Sequence, residues 1–431
     1  MEILTPLEAL RWYKLIDHPE QIRLITEDKR FKIVPAGRRS GKTERAKRFI
    51  VKQCLSHPNE SYFIAAPTRD QVKKIYWSDI KRLSPDRFIE KLMETELMIK
   101  FKNGTTLQLI GLDKPERIEG VFWSGGIIDE IADIKENAWE EHISPALDTF
   151  NPLRPDYKAW CWLIGVPDGL NHYYDMAMYA LSGEDSEWGY YHWKSSEILP
   201  ADRIEAAKRR MSERQFKQEY EASFETATGR IYEEYNHENH TSETIKPHER
   251  LLWFHDFNFT PMSSGIGVIR DNNLYALDEI ILTSATTEQS AFEFIERYKD
   301  HQNKTVFIYG DPAGKAGEKH GHKSDYTQME SILRSNGWNF VRKVKAAAPA
   351  IKDRQNSVRA MIKNAKGERR LYVNPNRCKY IDKGLSTVQL KKGSTFQEED
   401  SDFQHITTAI GYFIDYDFGI NKNSFTVSSY H

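Results

Sequence analysis

The sequence predicts an α/β chain of two successive domains, and three observations predict it. Short apolar runs alternate with helical patterns in both halves, the arrangement of sheets covered by helices. In each half apolar runs end in acids: Ile127-Ile128-Asp129-Glu130 in the first, His255-Asp256 and Gly310-Asp311 in the second. A polar, turn-rich stretch, GRIYEEYNHENHTSETIKP, lies between them. At 431 residues the chain has room for roughly two to four domains. The boundaries read as a first domain over 1–225, with a helical linker subdomain at about 195–225, a linker over 226–247, a second domain over 248–420 and a flexible tail over 421–431.

The elements follow in order. Phe31–Pro35, Tyr62–Ala66, Gly126–Ile128 and Trp160–Val166 read as strands of the first domain. Thr43–Leu55 reads as a helix with Ala46, Phe49, Ile50 and Cys54 on one face, and Leu97–Phe101 with Thr105–Ile110 as a hairpin over Asn103-Gly104. In the second half Leu251–Phe259 is a strand and Ser264–Arg270 with Leu274–Leu282 a hairpin. Thr287–Tyr298 is a helix capped by Thr286 and Gln289, and Thr305–Tyr309 a further strand. Three strands, a helix and a strand is the opening order of an RNase H-like fold.

Composition narrows the classes. Hydrophobic residues at 39% and charged residues at 29% fit a soluble globular protein. No apolar run approaches the ~20 residues of a membrane span. The start, MEILTPLEALRWYK, lacks an export pattern, so a cytoplasmic protein is expected. Cys54, Cys161 and Cys378 lie far apart without CxxC spacing, which argues for buried thiols rather than disulfides or zinc. The net charge of −2 announces no nucleic-acid partner. Val341–Arg370, however, holds ten Lys/Arg against Asp353 and Glu368, either a phosphate-binding surface or a solvated face.

Residues 36–43 read Ala-Gly-Arg-Arg-Ser-Gly-Lys-Thr, a P-loop pattern with Ala36 where the strict form has Gly. A strand precedes it and a helix follows, so the backbone N–H groups of Gly37, Arg38, Arg39, Ser40 and Gly41 and the helix N-terminus are expected to cradle the phosphates of ATP. Lys42 is expected to reach the β/γ-phosphates and Thr43 to hold Mg²⁺. Asp129 completes that metal shell, and Glu130 is the candidate general base for the attacking water. Arg38, Arg39 and Arg117 are candidates to offset phosphate charge in cis or as a finger to a neighbouring subunit, with Arg39 placed among the catalytic residues. The first domain is therefore expected to be a P-loop NTPase.

In the second domain Asp256 and Asp311 stand at strand ends, where a carboxylate pair can hold divalent metal, Mg²⁺ or Mn²⁺, for phosphodiester cleavage. A late helix, Phe403–Tyr416, buries Phe403, Ile406, Ile410 and Phe413. Just before it, Asp402 is either a third metal ligand or the helix N-cap, with His405 on the same face.

This order of motifs resembles the large terminase subunits of tailed bacteriophages across nearly the whole chain. Local phrases agree: Ala66-Pro67-Thr68-Arg69, Arg214–Phe224, Gly229-Arg230-Ile231-Tyr232, Gly310-Asp311-Pro312-Ala313 and the stretch Arg354–Pro375. The resemblance implies a ring of copies docked on the portal protein of a procapsid in the host cytoplasm. That ring uses ATP to drive double-stranded DNA inside and cuts concatemers with its nuclease, while a small terminase subunit selects the DNA. It also places Gln21 where the family reads adenine, the alternative being an exposed helix glutamine. Two departures stand out. Val166, in Gly165-Val166-Pro167, replaces a hydroxyl residue of the coupling motif, and Thr408 replaces an acid three residues after His405. Other readings of the same motifs are a helicase or DNA-repair ATPase with an attached nuclease, and an assembly component with vestigial chemistry.

Overall fold

The structure, a computed structural model, describes residues 11–148, 157–225, 229–257, 262–315, 324–391, 394 and 396–419. The tail read at 421–431 and the end of the strand read to Phe259 lie outside them. The chain divides into two compact units: Met1–Ile204 with Lys217–Thr226, and Glu205–Phe216 with Ala227–His431. Among the described residues no helix is long and apolar enough to cross a membrane.

The first unit is built on an eight-stranded sheet. Its strands are β1 (Phe31–Pro35), β2 (Ser61–Ala66), β3 (Ile89–Met93), β4 (Met98–Phe101), β5 (Thr106–Gly111), β6 (Gly125–Asp129), β7 (Trp160–Gly165) and β8 (Trp188–Tyr190). They lie in the order β3-β4-β5-β2-β6-β7-β1-β8, antiparallel from β3 to β5 and parallel from there on. Every residue of β1 and β6 is buried, as expected where helices cover both faces of a parallel sheet. The unbroken apolar runs FKIVP and GGII are how that burial shows in sequence. The edge strand β3 carries Glu90 and Lys91 on a half-exposed ladder and gave no apolar signal. On the helix Lys42–Ser56, Ala46, Ile50 and Cys54 are fully buried, and Phe49 stacks on Trp162 with ring centroids 4.2 Å apart.

In the second unit six strands pair as β13-β12-β9-β10-β11-β14. These are β9 (Leu251–Asp256), β10 (Met262–Arg270), β11 (Asn273–Leu282), β12 (Thr305–Gly310), β13 (Asn339–Arg342) and β14 (Leu371–Val373). β9, β10 and β11 form an antiparallel meander, and β12 returns to lie parallel to β9 on its free side. That is the RNase H-like order. The helix Gln404–Asp417 lays Ile406, Ile410 and Phe413 against this sheet, all fully buried. The stretch read as a linker contributes Ile231, Tyr232 and Tyr235 to the same core, so its polar composition hid three anchors.

The basic run is no single surface. Arg354 and Arg359 are buried on the helix Ile351–Ile362. Arg342, Lys343, Lys345, Lys363, Lys366 and Arg369 pair with Glu330, Asp417, Asp415, Glu234, Glu205 and Glu238. Arg370 donates to the Asn272 carbonyl. Charge counted along the sequence overlooks acids that arrive from elsewhere in the fold.

The helix Thr287–Arg297 opens with a complete capping box, Thr286 accepting from the Gln289 N–H and Gln289 from the Thr286 N–H. Thr286→Ala is expected to cost about 1 kcal/mol, read as a lower urea midpoint for the second unit; an unchanged midpoint contradicts it.

Candidate functional site

The loop after β1 is held from behind. The N–H of Ala36 donates to the Gly165 carbonyl, that of Gly37 to Trp193 and that of Arg38 to Glu219. A Cβ at Gly37 would lie 2.6 Å from the Tyr220 carbonyl oxygen, so only glycine fits. Arg38 also pairs with Glu219 at 2.6 Å. Ser195 Oγ donates to the Arg38 carbonyl and Trp193 Nε1 to Ser40 Oγ, each within 2.8 Å. Arg39 is exposed and Gly41 closes the turn, both at positive φ. Gly41 is the N-cap of the Lys42–Ser56 helix, and no side chain caps its first turn. Those N–H groups and the positive end of the helix are the natural seat of an anion.

Lys42 is 7% exposed and lies close enough to Asp129 to act on its carboxyl. Thr43 Oγ1 donates to Asp129 Oδ2 at 3.1 Å, so the residues expected to share Mg²⁺ already touch. The other Asp129 oxygen accepts the Glu130 N–H at 3.0 Å. Burial, then the Glu130 charge, pushes the Asp129 carboxyl up to about 6, against the pull of Lys42 and the two hydroxyls. Glu130 itself is half-buried with φ at 54°. A non-glycine residue in that region is rare and clusters where a side chain must be aimed.

Sequence reasoning missed Tyr76. Its hydroxyl donates to Asp129 Oδ2 at 2.7 Å from full burial. It comes from a single π-helical turn, Lys73–Trp77, and nothing along the chain signals a contact 53 residues away. Gln21 is 2% exposed, which excludes the exposed-glutamine alternative. Its Nε2 donates to the Ser40 carbonyl at 2.7 Å while its Oε1 accepts from Arg45 at 2.8 Å. Arg117 lies on a short 3-10 turn, Pro115–Ile118, paired with Asp113 at 3.5 Å, both side chains about two-fifths exposed.

In the second unit the parallel register of β9 and β12 sets His255 beside Gly310. Asp256 and Asp311 therefore follow side by side at neighbouring strand ends, about 5 Å apart along the hydrogen-bonding direction. Asp256 is 7% exposed and its Oδ2 lies 3.1 Å from His405 Nδ1, a contact that raises the imidazole above its ordinary value against its burial. Asp311 Oδ1 accepts the Ala313 N–H, and its side chain also hydrogen-bonds the Tyr412 hydroxyl. Asp402 is exposed in the turn before the helix. The N-cap there is Phe403, with no side-chain cap, so the capping alternative for Asp402 does not hold. Among the described residues no three His, Cys, Asp or Glu side chains group to hold a metal. Two hard carboxylates alone still fit Mg²⁺ or Mn²⁺, ions that take one or two such ligands and complete their shell with water and substrate phosphate. At Thr408 the hydroxyl accepts from Arg354 Nη2 at 3.2 Å.

The family model "Terminase large subunit, T4likevirus-type, N-terminal" matches residues 33–237. The large terminase subunit of Thermus virus P23-45 is 24% identical over 251 residues, half of this chain and half of that protein. That of Escherichia phage T5 is 28% identical over 233 residues, 52% of this chain and 51% of that one. The chain is a relative of the phage large terminase subunits. It spans about half the length of the curated terminases it matches. The solved large terminase of a thermophilic bacteriophage superposes with a TM-score of 0.61 at 17% identity, over 92% of this chain and 98% of that one, which shows a shared terminase fold.

Gly37→Ala drives a methyl into the Tyr220 carbonyl. It is expected to destabilise the first unit by about 1–3 kcal/mol, seen as a lower melting temperature; wild-type melting contradicts so tight an approach.

Proposed function

We propose that this terminase relative is the motor and nuclease of phage genome packaging. It couples ATP hydrolysis to translocation of double-stranded DNA into a procapsid and cuts concatemeric DNA with a metal-dependent endonuclease. The observation that carries the reading is the Thr43–Asp129 contact beside Lys42, at the end of two parallel strands and ahead of an uncapped helix. The thermophilic phage's large terminase, which shares the fold, has been solved in complex with ATP-γ-S and with ADP.

In the proposed mechanism residues 1–225 form the motor and 248–420 the nuclease. The N–H groups at the start of the Lys42–Ser56 helix bind the phosphates of ATP, and Lys42 spans the β- and γ-phosphates. Thr43 and Asp129 hold Mg²⁺, which neutralises phosphate charge. Glu130, aimed by its left-handed backbone, takes a proton from the attacking water. Arg39, exposed on the loop, offsets charge on the transferred phosphate, in its own subunit or a neighbour's. Tyr76 keeps the Asp129 carboxylate in one orientation. Gln21 and Arg45 brace the loop through the Ser40 carbonyl, which leaves Gln21 beside the base-binding side. In the nuclease Asp256 and Asp311 hold Mg²⁺ or Mn²⁺, which activates water and stabilises the leaving oxygen. Asp402 borders that site through His405. The portal protein, a small terminase subunit and further copies of this chain in a ring are the proposed partners, met in the host cytoplasm.

Lys42→Ala is expected to lower DNA-stimulated ATP turnover by about 10² or more while leaving plasmid cutting intact; ATP hydrolysis that survives the change refutes the motor assignment. Asp256→Ala is expected to abolish Mn²⁺- or Mg²⁺-dependent plasmid cutting with ATP turnover unchanged, and cutting indifferent to Asp256 refutes the nuclease assignment.

A further inference from the structure

One face of the helix Gln404–Asp417 is built around the acidic pair. His405, Thr408 and Tyr412 follow at spacings of three and four, hence on one stripe. His405 meets Asp256, Tyr412 meets Asp311, and Thr408 between them accepts from Arg354 Nη2. The guanidinium of Arg354 lies over the Tyr412 ring, 5.1 Å from its centroid. Its stem is let in by Gly411, where a Cβ would lie 2.8 Å from Arg354 Cγ and 2.9 Å from Cδ. Glycine weakens a helix interior, so the helix gives up stability where the arginine passes.

Arg354 is 7% exposed, and its Nε has no hydrogen-bond partner among the described residues. Its acidic partner is Glu398, at 3.5 Å and equally buried. Glu398 Oε1 is also held by Gln355 Nε2 at 2.9 Å. An arginine held this tightly cannot leave when a second cation arrives.

We propose that Arg354 is a positioning residue that sets the metal affinity of the cleavage site: its fixed charge, acting across Tyr412, weakens the hold of Asp256 and Asp311 on a divalent ion. The inference rests on the nuclease reading above. With Arg354 in place the acid pair binds metal firmly only when phosphate oxygens of DNA join the shell, since the two carboxylates face a resident cation as well as the incoming one. Glu398 acts in the opposite sense, by offsetting part of the arginine's charge.

The test is Mn²⁺ binding to the full-length chain without DNA, followed by the signal of free Mn²⁺. The relevant component is the one lost in Asp256→Ala, which separates it from metal at the Thr43–Asp129 site. Arg354→Gln is expected to tighten that component about tenfold, as befits removal of one nearby unit charge, and to lower the Mn²⁺ concentration that half-saturates cutting. Arg354→Lys, which keeps the charge, is expected to bind within about twofold of wild type. Glu398→Gln, which keeps an oxygen for Gln355, is expected to weaken binding. Unchanged or weaker binding in a normally melting Arg354→Gln overturns the proposal, because a purely structural arginine would give that. If Arg354→Gln melts early, Glu398→Gln decides by itself: unchanged or tighter binding overturns it. Absence of any Asp256-dependent Mn²⁺ binding in wild type overturns the nuclease reading and this inference together. Asp256-dependent binding that ignores Arg354 overturns the inference alone.

Discussion

Parallel pairing of neighbouring strands is the constraint on which both sites depend. Two parallel strands end at the same edge of a sheet, so residues at their carboxyl ends stand side by side whatever their separation in sequence. In the first unit β1, β6 and β7 are in register, with Pro35 beside Gly165 and Ile164 beside Asp129. The loop that follows β1 thereby reaches the acid that ends β6. In the second unit the β9–β12 pair does the same for Asp256 and Asp311. Neither carboxylate arrangement survives a slip of one residue, because a slip turns each side chain to the opposite face.

The surroundings then fix what the strand ends bring together. Asp129 is nearly enclosed, and a buried carboxylate is costly unless its oxygens find donors. Thr43, Tyr76 and the Glu130 N–H supply three, and Lys42 supplies the charge. That crowding explains a carboxyl pushed up to about 6 yet firmly oriented. The loop has its own braces in Gln21, Trp193, Ser195 and Glu219, which occupy the backbone groups facing the protein. The amides that open the Lys42–Ser56 helix are left for a ligand. In the second unit the bracing is done by one helix stripe, His405, Thr408 and Tyr412.

Much of this was legible in the sequence because its signals are local. A P-loop is eight consecutive residues, a central strand is an unbroken apolar run, and the Thr286 capping box spans four positions. What could not be read is non-local. Tyr76 is an ordinary aromatic in a helical segment until the fold carries it to Asp129. The Val341–Arg370 run counted as a basic patch, because the glutamates and aspartates that meet it lie elsewhere in the chain. Ile231, Tyr232 and Tyr235 sit among so many polar neighbours that composition averaged them into a linker. Thr408 registered only as a missing acid, while the structure shows a hydroxyl accepting from a buried arginine.

The central claim is that one chain carries two separate seats for divalent metal, one serving a nucleotide and one serving DNA. The most direct measurement is anomalous scattering from crystals of the full chain grown with Mn²⁺ and a non-hydrolysable ATP analogue. The account predicts one Mn²⁺ peak touching Thr43 and the analogue's phosphates beside Asp129, and a second between the Asp256 and Asp311 carboxylates. An analogue bound away from Lys42, or carboxylates at Asp256 and Asp311 that share no metal at saturating Mn²⁺, contradicts it.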